Sequence, residues 1–211
     1  MRATSLSLGT FALLVCMACF GPAFETSAIV VSFPDPNVEN VVRQAINKPT
    51  GEILDTDLVG VGFTQFEYQP GYHVQVDLTG LEYCTDLQTV ALGDYARPTD
   101  LAPLRTLINM KNLVMVEAGI KDLSPISNCT ALRVLYMDYN SIADLTALES
   151  LPNLRELHLD LNLIRDLSPL VRNAGVGGGD LLFLAGNPLS HEALCEQDPR
   201  LSSRGVSVER R

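Results

Sequence analysis

The 211 residues are 46% hydrophobic, an apolar content that excludes a disordered chain and suffices for one domain, compact or elongated. A formal charge of −10, from 25 acids against 15 lysines and arginines, leaves no clustered basic surface for nucleic acid. It favours solubility and basic or neutral partners.

Residues 1–28 read as a secretory signal peptide. Arg2 precedes the apolar run Phe11-Ala-Leu-Leu-Val-Cys-Met-Ala-Cys-Phe20, and Gly21-Pro22-Ala23 comes after it. The run has the length of a signal core and falls short of the roughly 20 residues that span a bilayer. Cleavage after Ala23 or Ala28 fits the small residues there. A lipid anchor at Cys19, next to Ala18, is the alternative, although Met17 and Cys16 suit that motif poorly. No later segment is long and apolar enough to cross a membrane. The expected location is secreted or extracytoplasmic, in the cell envelope.

Residues 29–73 form an expected cap and lead-in. After the extended Ile29-Val-Val-Ser-Phe33, Asp35 is a candidate N-cap and Pro36 fits a first helical turn. Val38, Val41, Val42, Ala45 and Ile46 then recur at helical spacing. The apolar face of this helix needs a surface to cover, and an open sheet edge is the natural one. Between Gly60 and His73, Phe63, Phe66, Tyr68 and Tyr72 suggest a packed strand or loop that does not align with the repeat of residues 74–189.

That repeat has a period of 22. Leu132-Arg-Val-Leu135-Tyr-Met137-Asp-Tyr-Asn140-Ser-Ile142-Ala-Asp144-Leu145 returns 22 residues later as Leu154-Arg-Glu-Leu157-His-Leu159-Asp-Leu-Asn162-Leu-Ile164-Arg-Asp166-Leu167. Earlier copies hold Met110, Leu113 and Met115, then Leu87, Val90 and Leu92. After three extra residues, Leu182, Leu184 and Asn187 continue the pattern. About five copies stack, enough for a continuous core that one copy could not bury. Leu135-Tyr-Met137 and Leu157-His-Leu159 alternate as half-buried strands, which stacking makes parallel. Asn140, Asn162 and Asn187 sit where a buried amide can satisfy a bending backbone. The return segment Asp-Leu-x-x-Leu, with Pro103, Pro125 and Pro169, suits a 3₁₀ or extended turn.

The pattern resembles the leucine-rich repeat family, in the 22-residue subclass shared by bacterial internalin-like proteins and a eukaryotic phosphatase regulator. The resemblance covers roughly Asp77 to Leu189 and lacks the asparagine at Ala118 and Tyr95. It implies an α/β fold: a right-handed solenoid, a short horseshoe, with a parallel concave sheet, a 3₁₀ or extended convex side and a helical N-terminal cap. The lead-in helix is similar to the lid of bacterial members, with Thr50-Gly-Glu-Ile-Leu-Asp-Thr-Asp-Leu58 as its continuation. Residues 190–211 would cap the other end, through a short helix over Asn187 to Cys195 and a last strand over Arg204 to Val208.

Cys84 and Cys129 stand where other copies hold Leu107 and Leu151, so they are expected in the core. Two repeats apart, at about 10 Å, they are too distant for a disulfide. Cys195 has no evident intramolecular partner. Asp77, Asp100, Asp122, Asp144 and Asp166 each open a return segment. A metal row is one reading of them, and backbone capping of the turn is the stronger one.

Alternation points Thr89, Ala91, Gly93, Asn112, Val114, Val116, Val134, Tyr136, Asp138, Glu156, His158, Asp160, Leu181, Phe183 and Ala185 away from the core. The candidate contact residues are Val114, Val116, Tyr136, Asp138, Glu156, His158, Asp160 and Phe183: an acidic patch flanked by aromatic anchors, residue types favoured at interfaces. The expected function is non-catalytic recognition of a protein or surface ligand by a monomer, without cofactor or metal. Three competitors remain: a structural envelope lipoprotein, an intracellular scaffold like the phosphatase regulator, and a hydrolase centred on Asp138, His158 and Asp160.

Overall fold

The computed structural model describes residues 28–66, 74–93 and 96–210. The expected signal with Cys19, the stretch holding Tyr68, Tyr72 and His73, and Tyr95 lie outside the described residues.

Strand β1 (Val30–Val31) leads into helix α1 (Pro36–Ala45). Asp35 caps the helix, its Oδ1 accepting the N–H groups of Asn37 and Val38 at 2.8 and 3.3 Å, and Val38 and Val42 are wholly buried. Its other oxygen accepts the Asp77 N–H at 3.2 Å and so ties the cap to the first return segment. The expected helical continuation over residues 50–58 is instead β2 (Ile53–Leu54), antiparallel to β1, with a 3₁₀ turn after it at Asp55–Leu58. Gly51, at φ +87°, takes the left-handed turn that sends the chain back toward β1.

Strand β3 (Phe63–Phe66) corrects a second expectation. It pairs in parallel with β5 (Thr89–Leu92), Phe63 opposite Thr89, so the sheet begins inside the segment read as lead-in. The offset of 26 residues, 89 − 63, hid it from a search at period 22. Helix α1 lies against this strand and covers the edge it would otherwise leave open. Beside the main sheet, β4 (Val74–Val76) and β6 (Ala96–Pro98) form a parallel pair of their own.

The main sheet continues with β7 (Asn112–Met115), β8 (Val134–Tyr136), β9 (Glu156–His158), β10 (Leu181–Phe183) and β11 (Ser207–Glu209). All seven strands, ordered β3-β5-β7-β8-β9-β10-β11, run parallel, and β5 to β10 pair in the register that the repeat dictates. Val90, Leu113, Leu135, Leu157 and Leu182 stack as one inward row, each at most 2% exposed. Burying each contributes roughly 1.5–3 kcal/mol.

The chain returns through 3₁₀ turns at Leu81–Tyr83, Ala102–Thr106, Ser124–Ile126 and Thr146–Leu148. The fifth return, α2 (Ser168–Arg172), completes an α-helical turn where a tighter one is expected. Each opening aspartate accepts the N–H two residues on, at 2.7 to 2.9 Å for Asp77, Asp100, Asp122, Asp144 and Asp166, as the capping reading requires. The carboxyl groups of Asp77 and Asp122 lie below the usual range, chiefly through the bonds from Thr79 and Ser124.

At the far end the helix starts at His191, later than expected, and passes through a π turn (Ala193–Gln197) into α3 (Asp198–Ser203). Buried Gln197 docks it, accepting the Leu167 N–H and donating to Asp166, both at 2.7 Å. Cys84 and Cys129 are buried free thiols, and Cys195 is free and exposed.

Candidate recognition face

The register that buries the leucine row turns the alternate residues outward. Ala91, Val114, Tyr136, His158 and Phe183 stand in one row across β5 to β10, and Thr89, Asn112, Val134, Glu156 and Leu181 in the next. All but the more exposed Leu181 are half-buried. Val116, just past β7, is also half-buried.

Tyr136, His158 and Phe183 form a continuous ring column. Tyr136 meets the imidazole edge-on with centroids 4.1 Å apart, and Phe183 stacks on its other side at 4.2 Å. Glu156 binds the column from the neighbouring row: the Tyr136 hydroxyl donates to Oε1 at 2.8 Å, and His158 Nε2 lies 2.9 Å from the same atom. Those two bonds, His158 first, hold the Glu156 carboxyl below its ordinary value, and its bond to Tyr136 pushes that phenol up.

Asp138 and Asp160 do come together, as the repeat arithmetic predicts, but as ladder rungs. Asp138 Oδ1 accepts the Asp160 N–H at 2.8 Å, and Asp160 Oδ1 accepts the Ala185 N–H at 2.6 Å. Burial raises the Asp138 carboxyl, with the Asp160 charge acting the same way. Oδ2 takes no part in either rung, and that of Asp138 lies 4.0 Å from His158 Nδ1. The imidazole thus has Glu156, not an aspartate, as its close partner, which differs from the Asp-His-Asp grouping of the hydrolase reading.

A second ladder runs behind the face. Asn140 Oδ1 accepts the Ile120 N–H at 2.9 Å while Nδ2 donates to the carbonyls of Met115 and Met137 at 2.8 and 2.9 Å. Asn162 repeats this with Ile142, Met137 and Leu159, and Asn187 with Ile164, Leu159 and Leu184. The gap at Ala118 has a physical counterpart. Two residues before each opening aspartate stand Pro98, Ile120 and Ile142, and Pro98 has no N–H for an asparagine at 118 to accept.

One row escapes the two-residue alternation because it lies beyond the strands. Glu117, Tyr139 and Leu161 take φ +54°, +57° and +53°, and Gly186 has the same place in the next copy at +72°. Tyr139 is 58% and Leu161 44% exposed. The signal available in the sequence is their position, one residue before Ala118, Asn140, Asn162 and Asn187, where the last copy uses glycine.

Residues 130–172 match a family model for leucine rich repeats, two copies. Among curated proteins none matches the chain. Of solved structures, an internalin C2 from Listeria monocytogenes is 24% identical over 83% of this chain and 94% of its own, with a TM-score of 0.43. A second Listeria monocytogenes internalin is 19% identical over 84% of this chain, TM-score 0.47, and this chain spans 63% of its length. The ZmpB domains from Clostridium perfringens, solved as CBM51-2 in complex with GlcNAc and INT domains, are 30% identical over 44% of this chain and 18% of theirs, TM-score 0.36.

Proposed function

We propose that this leucine-rich repeat protein is a secreted or envelope-located recognition module that binds another protein through its concave sheet. The observation that carries the reading is the ring column of Tyr136, His158 and Phe183, held by Glu156 on a rigid parallel sheet. Aromatic side chains fixed in place lose little entropy on binding and supply large contact area, as interface anchors do. Val114 and Val116 extend the surface toward the small side chains of β5, and Asp138 and Asp160 give one side of it negative charge. The repeat frame keeps inward positions uniform while outward ones differ from copy to copy, which suits recognition.

The test is affinity capture from cell-envelope and culture fractions, with wild type beside a Tyr136→Ala, Phe183→Asp variant of unchanged circular dichroism. A protein retained by wild type and lost by the folded variant is the expected result. Equal capture by both would remove the concave face as the binding surface.

A further inference from the structure

We infer that the recognition surface extends over the rim formed by Tyr139, Leu161 and Leu163, and that its occupant is a protein segment placing a Lys or Arg beside an apolar side chain. This rests on the concave-face reading and adds both a strip of surface and the partner's chemistry.

The first observation is conformational. A tyrosine and a leucine at φ +57° and +53° occupy a region where bulky side chains are outliers, at a place where the next copy has Gly186. Burial does not repay that strain, because Tyr139 is 58%, Leu161 44% and neighbouring Leu163 53% exposed. Leu161 leans over Gly186, where a Cβ would stand 2.6 Å from its Cδ2, so the glycine leaves it room. Glycine would serve the backbone better at both positions, and the large apolar side chains there serve neither backbone nor core.

The second observation is charge. Immediately beside this rim stand Asp138 and Asp160, each with one oxygen fixed by a backbone N–H and the other outside the ladder. Their mutual repulsion contributes to the raised Asp138 carboxyl. Among the described outward strand positions of the main sheet there is no Lys or Arg. Lys111, Arg133 and Arg155 precede the strands, at the opposite end of the sheet, while exposed Lys121 and Arg165 follow beyond the rim row. A cation from a partner would meet the carboxylates while its apolar neighbour covered the rim, and the basic row would disfavour the reversed orientation.

A random-peptide display library selected on the whole protein tests this, with enriched peptides titrated against three variants. Enriched peptides should pair Lys or Arg with an aliphatic or aromatic residue. Tyr139→Gly, Leu161→Gly should bind them about tenfold or more weakly, without a lower Tm, since glycine relieves the strain. Asp138→Asn, Asp160→Asn keeps the ladder acceptors and should lose the salt dependence of binding. Peptides without basic residues, a glycine variant that binds equally or melts lower, or no enrichment would overturn the inference. Peptides lost only by Tyr136→Ala, Phe183→Asp would overturn the rim and leave the concave face standing, whereas peptides kept by every variant would overturn both.

Discussion

At the residue scale, the asparagines carry the sharpest expectations. Asn162→Ala strands the Ile142 N–H in a buried site and takes one of two donors from each of the Met137 and Leu159 carbonyls, which keep Asn140 and Asn187. The expected loss is about 2–3 kcal/mol, read from urea unfolding. Ala118→Asn should bring no gain, because its intended donor is Pro98, and in a double-mutant cycle with Pro98→Ile the two changes should couple favourably. Asp138 gives a pH-dependent case. Burial raises its folded pKa above 3.8, so its charge costs stability as pH rises through that raised value. Asp138→Asn retains an acceptor for the Asp160 N–H and should raise Tm at pH 7 by the equivalent of about 0.5 kcal/mol, with the gain vanishing below the window. The thiols differ as well: burial pushes Cys84 up to about 12 and Cys129 up to about 11, while Cys195 is exposed. Iodoacetamide on the native protein should label Cys195 and spare the other two, as peptide mass spectrometry would show.

At the element scale, the sequence announced whatever recurs at a fixed interval. The rows through Leu113, Leu135 and Leu157, the capping aspartates and helix α1 were all legible, because each arises from periodicity or from cap chemistry. The place of strand β3 in the main sheet was not, since its 26-residue offset carries no leucine signature, although Phe63 and Phe66 suggested a strand or loop, and the sequence marks the rim of Tyr139 and Leu161 only by the glycine in the same place of the last copy. The aspartate pair was located correctly, yet its ladder role depends on hydrogen-bond direction, which spacing does not encode. The insertion after Asn173 was legible as three extra residues, but not the demand that its backbone makes. A Cβ on Gly175 would lie 2.1 Å from the Pro152 carbonyl oxygen, against backbone that has no side chain to move aside. Gly175→Ala should therefore cost about 2 kcal/mol or more by urea unfolding, whereas Gly179→Ala, with nothing within 4 Å but φ +88°, should cost only about 1 kcal/mol.

At the scale of the molecule, the solenoid sorts its side chains by height and by copy. Uniform leucines fix the stack, two side-chain ladders hold its backbone on one side, and α1 with the C-terminal helix closes its ends. The outward rows are then free to differ, from small neutral residues on β5 and β7 to rings and carboxylates on β8, β9 and β10. That gradient places the binding reading on the later copies. Hydroxyl-radical footprinting of the protein with its captured partner tests it most directly. Recognition by the concave face predicts protection of Tyr136, His158 and Phe183 with little change at Pro103, Arg105 and Arg172 on the return side, and protection confined to those return-side residues would contradict it.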